Sequence, residues 1–234
     1  MKALTLQNSS GSDLGVVEEI LEQAHGMTCD IKVAADLPNI AELDVSDYNL
    51  IILLGSPRGV YETEHSWIVA EQKFTQRLIA EKKPLWGICF GAQMMAAALG
   101  AEVRATGEIT RGWRANDAYV NDAWKGPWFR WHGDVFNLPD GAQSLASDGP
   151  VQQGIQYGSA VGTQFHPEVD AQIISNWYDH FAKEAAPDEV ASLPKDDLLI
   201  ALKSARKRTE LLVADILERC LDGKDQESTQ TQNQ

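Results

Sequence analysis

The sequence predicts an α/β protein: a doubly wound, mostly parallel sheet with helices on both faces, a small antiparallel add-on and a C-terminal helical extension. Three observations predict it. Apolar runs and helical patterns alternate, strand then helix, through residues 2–99. Two of those runs, 48–54 (YNLIILL) and 84–88 (PLWGI), are apolar without alternation, as strands covered on both faces require. From about residue 102 short alternating pieces take over, which suits antiparallel pairing.

In chain order, residues 2–7 (KALTLQ) form the first strand, Asn8 to Gly11 a turn, and Asp13 to Ala24 a helix with Leu14, Val17, Ile20 and Leu21 on one face. Residues 28–34 are the second strand, and 48–54 the third, ending at Gly55. Segment 64–82 places Trp67, Ile68, Phe74, Leu78 and Ile79 at helical spacing; Lys82 and Lys83 complement the helix dipole and Pro84 stops it. Strand 84–88 and helix 90–99 follow, and right-handed crossovers join the parallel strands. Short strands at 117–122, 128–132, 143–147, 152–157 and 160–165 make the add-on and the return to the sheet, and helix 170–184 closes a domain spanning 1–186. In the extension, 187–221, residues 195–221 bring Leu198, Leu202, Ala205, Leu212, Ile216 and Leu217 near one stripe. That long amphipathic helix either covers an exposed side of the sheet or docks a second subunit, which makes it the place for an oligomer contact. Residues 222–234 are polar and Gln-rich and read as a disordered tail.

Composition narrows the function classes. The chain has 234 residues, 20 Lys and Arg against 34 Asp and Glu, and a net charge of −14. Such a surface excludes a sequence-blind nucleic-acid binder and docking on anionic lipid. Segment 101–134, with Arg104, Arg111, Arg114, Lys125 and Arg130 against five acidic residues, is locally neutral and is where a partner or acceptor would approach. Cys29, Cys89 and Cys220 are odd in number and far apart, so they make neither a disulfide framework nor a metal cluster. The five histidines show no metal spacing, and neither a metal nor a cofactor is expected. The first residues, MKALTLQNSSGSD, carry no signal pattern, and the uncharged stretch 84–101 is broken by Pro84 and three glycines. A reducing, cytoplasmic setting without a membrane span is expected.

The sharpest local feature is Gly87-Ile88-Cys89-Phe90-Gly91-Ala92-Gln93. A cysteine between a buried strand and a helix, with glycine two residues to either side, has the pattern of a nucleophile elbow. It lies at the carboxyl edge of the sheet, where doubly wound folds bind ligands, and at a helix N-terminus, which favours thiolate. The Phe90 N–H would face an oxyanion. A cysteine nucleophile needs a base and the base an orienting acceptor, and Gln164-Phe165-His166-Pro167-Glu168 offers both in His166 and Glu168. His132 reads as structural or pocket-lining, and His25, His65 and His180 as surface residues. Trp113, Trp124, Trp128 and Trp131 read as packing of the add-on.

GICFGAQ together with QFHPEV resembles the class I (triad) glutamine amidotransferases, over about residues 1–185. Leu54-Gly55-Ser56-Pro57 with Val60-Tyr61-Glu62 is similar to the oxyanion loop of the GMP-synthase-type glutaminase domain, and Trp131-His132-Gly133-Asp134 to the family's His-Gly-Asp segment. The resemblance implies a flavodoxin-like sheet and a free-standing glutaminase. In that reading Cys89 attacks the side-chain amide of glutamine, His166 moves the proton and Glu168 orients His166. The N–H groups of Phe90 and of Gly55-Ser56 hold the oxyanion, while Gln93, Gly133 and Asp134 contact the substrate. Glutamate and ammonia result, the ammonia passing to an acceptor on a partner synthetase. Two positions depart from the family pattern: Ser56 replaces the second glycine of the usual Gly-Gly-Pro, and Ala92 stands where histidine is common. The alternative implied is a γ-glutamyl hydrolase or transferase using the same triad on another γ-glutamyl compound.

Overall fold

A computed structural model describes residues 1–184 and 196–221. The elements are β1 (Lys2–Gln7), α1 (Val16–His25), β2 (Thr28–Val33), β3 (Leu50–Leu53), α2 (Ser66–Ala80), β4 (Leu85–Ile88), α3 (Phe90–Ala98), β5 (Val103–Arg114), β6 (Ala118–Tyr119), β7 (Trp128–Phe136), β8 (Gln143–Asp148), β9 (Val151–Tyr157), β10 (Ala160–Thr163), α4 (Ala171–Glu184) and α5 (Asp196–Leu221). The main sheet runs β2-β1-β3-β4-β10-β9-β8-β6. The first five of these are mutually parallel, and β9, β8 and β6 continue the sheet antiparallel. β5 and β7 stand apart, as a two-stranded antiparallel ribbon.

The apolar runs are explained by two cores. In β3 every residue is buried; Leu50 and Ile52 face one layer, Ile51 and Leu53 the other. One layer holds α1 and α5, with Leu14, Val17, Ile20, Leu212, Val213 and Ile216 packed on Trp86, Val161 and Phe165. The opposite layer holds α2 and α3, with Phe74, Leu78, Phe90 and Met94. Full burial of each such side chain stabilises by about 1.5–3 kcal/mol, and α5 supplies Leu212, Val213 and Ile216 to the layer it shares with α1. Its stripe is used within the chain at Ala205, Leu212, Ile216 and Leu217, all buried. The side chains of Leu198 and Leu202, like the tail 222–234, lie outside the described residues.

Two differences from the sequence reading have physical causes. Helix α1 starts at Val16, not Asp13, because Gly15 takes φ 48°. A Cβ there would fall 2.1 Å from the Glu168 carbonyl, which instead accepts the Val16 N–H at 3.0 Å. Strand β5 was not expected at all. Its residues are mostly exposed, Gly107 and Gly112 have positive φ, and a register shift falls between Ala105 and Thr110, so no apolar period marks it. The tryptophans also divide. Trp124 and Trp128 are buried in the main core against Phe165, whereas Trp113 and Trp131 join Phe129, Trp177 and Tyr178 beside α4. His180 is exposed, while His25 and His65 are half-buried.

Candidate active site

Cys89 lies between β4 and α3 with φ 52°, a left-handed conformation that a non-glycine residue holds only under constraint. Its N–H donates to the Thr163 carbonyl at 2.7 Å, and its carbonyl accepts the Gln93 N–H at 3.0 Å. The flanking glycines make the turn fit. A Cβ on Gly87 would meet the Gly91 carbonyl carbon at 2.4 Å, and one on Gly91 the Leu53 carbonyl oxygen at 2.2 Å. These neighbours are backbone and cannot yield by rotating a side chain. Gly91→Ala is therefore expected to cost about 3 kcal/mol of stability, read from urea unfolding.

The strand β10 delivers the second half. Beyond it the His166 N–H donates to the Phe129 carbonyl at 2.8 Å, bridging to β7. His166 Nδ1 is 2.6 Å from Glu168 Oε1, both side chains being buried. The ring edge packs on Trp177 of α4, centroids 4.8 Å apart. Burial alone would push the His166 pKa down; the Glu168 carboxylate and the Cys89 sulfur outweigh it and hold the imidazole well above the usual histidine range. The fold thus brings Cys89 and the hydrogen-bonded His166–Glu168 pair together at the carboxyl edge of the sheet.

The other expected residues surround these three. Gly55 faces them: a Cβ there would lie 3.4 Å from His166 Cε1 and 3.9 Å from Cys89 Cβ. Ser56 is half-buried, its Oγ accepting the Arg58 N–H at 3.2 Å. Phe90 is the first residue of α3, so its N–H precedes the helix ladder. Gln93 is buried, and its Nε2 donates to Gln164 Oε1 at 3.2 Å. Gln164 in turn points Nε2 at Cys89 Sγ, 3.6 Å away. The sequence reading assigned Gln164 no role, although it lies two residues before His166; the alternation of an extended segment, which puts i and i+2 on one side, was the available signal. Gly133 and Asp134 are on β7, and the Tyr61 hydroxyl, from the loop after Gly55, donates to Asp134 Oδ1 at 3.2 Å. The loop and the ribbon therefore meet across the site. The Trp131 carbonyl lies 4.0 Å from Cys89 Sγ.

His132 is buried with Nδ1 2.9 Å from the Asp134 carbonyl. Burial pushes its pKa down to about 4, with a smaller contribution from His166, so it is neutral at physiological pH. Two of the five basic residues of the neutral stretch 101–134 are engaged, while Arg104, Arg114 and Lys125 are exposed. Arg130 is buried against Asp148, and Arg111 stacks on Trp131 at 4.8 Å. Glu62, Glu64 and His65 come together on the loop before α2, but Glu62 is engaged by the Gly59 N–H at 2.7 Å and Arg58 at 3.0 Å.

The family model for class-I glutamine amidotransferases matches residues 12–180, a span that contains Cys89, His166 and Glu168. The chain belongs to that family. Among its relatives, a glutamine amidotransferase-like protein of Acanthamoeba polyphaga mimivirus is 25% identical over 144 residues, 61% of this chain and 68% of that protein. A GMP synthase (glutamine-hydrolyzing) of Leifsonia xyli is 34% identical over 134 residues, 51% of this chain but only 25% of the synthase. Among solved structures, a glutamine amidotransferase from Thermotoga maritima superposes with a TM-score of 0.80 at 28% identity, covering 95% of this chain and 99% of that one. A glutamine amidotransferase from Methylobacillus flagellatus, at 20% identity and a TM-score of 0.79, shares the fold. No helix among the described residues is long and apolar enough to cross a membrane.

The three cysteines differ in kind. Burial, aided by Glu18 and Glu22, pushes the Cys29 thiol up to about 12; burial does the same for Cys220. Cys89 instead faces His166 at a helix N-terminus. Iodoacetamide at pH 7 is expected to modify Cys89 ahead of the other two, read by peptide mass mapping.

Proposed function

We propose that this chain hydrolyses the side-chain amide of glutamine through a γ-glutamyl thioester on Cys89. The observation that carries the reading is the convergence of Cys89 with the His166–Glu168 pair beside Gly55, with the 2.6 Å contact between His166 and Glu168 and the cysteine strained onto an elbow. The Cys89 sulfur attacks the amide carbon, and the carbonyl becomes an oxyanion held by the N–H groups of Phe90, Gly55 and Ser56. Protonated His166 gives its proton to the amide nitrogen as the C–N bond breaks, and ammonia leaves. Neutral His166 then takes a proton from water, hydroxide attacks the thioester, and glutamate departs with the sulfur and imidazolium restored. Glu168 stabilises the imidazolium through both steps. Gln164, held by Gln93, donates to the sulfur and supports its anionic form. Gly133 and Asp134 bound the far side and receive the amino-acid end of glutamine.

Ammonia would pass to an acceptor on a synthetase partner, a reading supported by the GMP synthases among the relatives, of which the chain spans 25% and 36% in two cases. Purified protein is to be assayed for glutamate release from glutamine and, in parallel, from γ-glutamyl amides and peptides. The proposal expects glutamine to be turned over. Turnover of γ-glutamyl peptides with none of glutamine would replace it with the γ-glutamyl hydrolase reading.

A further inference from the structure

A carboxyl group lies behind the oxyanion loop in a place where packing alone would choose a hydrocarbon. Glu71, on α2, is fully buried. Its Oε1 accepts a hydrogen bond from Asn8 Nδ2 at 3.0 Å, and the same Nδ2 donates to the Leu54 carbonyl at 3.0 Å. That carbonyl belongs to the peptide whose other end is the Gly55 N–H. A trans peptide is a rigid plane with C=O and N–H opposed, so holding one end aims the other. Ser12 repeats the arrangement one peptide later: its Oγ donates to the Gly55 carbonyl at 2.7 Å, which fixes the plane bearing the Ser56 N–H. Both pinned planes flank the residue that faces His166 and Cys89.

The protonation state follows from the donors and acceptors. Asn8 Oδ1 and Glu71 Oε2 are both buried without a hydrogen-bond partner. An ionised carboxylate leaves two acceptors unserved, whereas a protonated one supplies a donor beside the asparagine amide. Burial raises the Glu71 pKa to about 8, the Asn8 hydrogen bond opposing it only in part. Of the elements packed on α2, α3 carries no titratable side chain, and the 3-10 turns at 34–36 and 40–42 carry Asp36 and Glu42, both exposed.

We propose that Glu71 is a positioning residue for the oxyanion loop: as a neutral acid it pairs with Asn8, and Asn8, through the Leu54 carbonyl, aims the Gly55 N–H at the reacting carbon's oxygen. The role rests on the glutaminase reading above; the proton on Glu71 does not, and the two are tested separately. Infrared spectra of the whole protein should show a buried carboxylic acid band at pH 6 that is lost as pH rises through about 8 and is missing from Glu71→Gln. Absence of that band in the wild type overturns the neutral acid whatever the activity. For the loop, Glu71→Gln, a neutral isostere that can both donate to and accept from Asn8, should keep kcat for glutamine within about 3-fold. Glu71→Leu and Asn8→Ala, which release the Leu54 carbonyl, should lose about 10²-fold in kcat with KM little changed, the cost of one misaimed oxyanion donor. Should Glu71→Leu fail to fold, Asn8→Ala carries the same test. A Glu71→Gln protein as impaired as Asn8→Ala, or an Asn8→Ala protein with undiminished kcat, overturns the positioning role. Wild-type protein inert toward glutamine but showing the band fails the glutaminase reading alone.

Discussion

Cys89→Ala is expected to lower glutamate release by about 10⁴-fold or more while leaving the unfolding midpoint near that of the wild type. Loss of a nucleophile costs on this scale because the whole triad acts as a unit and the residual rate comes from binding and the oxyanion donors alone. The fold should tolerate the change. Cys89 contributes one sulfur to the core, and its backbone strain at φ 52° is the same for alanine. The turn is fixed by neighbours that remain: the Cys89 N–H on the Thr163 carbonyl, and the close backbone contacts of Gly87 and Gly91. Near-wild-type circular dichroism and urea unfolding together with lost activity is the expected pair of results. Undiminished glutamate release would remove Cys89 from the chemistry.

Glu168→Gln is the second large effect. Its carboxylate holds His166 Nδ1 at 2.6 Å in a site where both are buried. An amide is the same size but can turn its NH₂ toward the ring, favouring the wrong tautomer, and it cannot stabilise the imidazolium by charge. A fall in kcat of about 10³-fold is expected, with less change in KM. The pH profile gives the sign. The Glu168 carboxylate, against the opposing effect of burial, raises the His166 pKa, so its removal lets imidazolium lose its proton at lower pH. The alkaline limb of kcat/KM should therefore move down in pH. A limb that stays in place would show that Glu168 holds His166 sterically, without setting its charge.

Most of the parallel half of the fold was legible because its code is local. The runs at Leu50–Leu53 and Leu85–Ile88 are apolar throughout, the helices between them keep a helical period, and Gly55 and Pro84 mark their ends. The ribbon strand β5 was not, since it buries little and pairs only with β7; nothing in an exposed, glycine-broken stretch distinguishes it from a loop. In the site, Cys89, His166 and Glu168 stand out because strand ends, glycines and a proline surround them. The supporting contacts are long-range. The Trp131 carbonyl beside the sulfur and the Asn8–Glu71 pair beneath Leu54 join residues from different elements, and no spacing along the chain encodes such neighbours; Gln164 on the sulfur was signalled only by its place two residues before His166.

The central claim is a covalent γ-glutamyl thioester on Cys89. Protein turning over glutamine at steady state can be quenched in acid, where thioesters persist, digested, and its peptides weighed. The account predicts a γ-glutamyl group on the peptide bearing Cys89, absent from Cys89→Ala and removed by hydroxylamine. Glutamate released without any such adduct on Cys89, or an adduct on another residue, would contradict it.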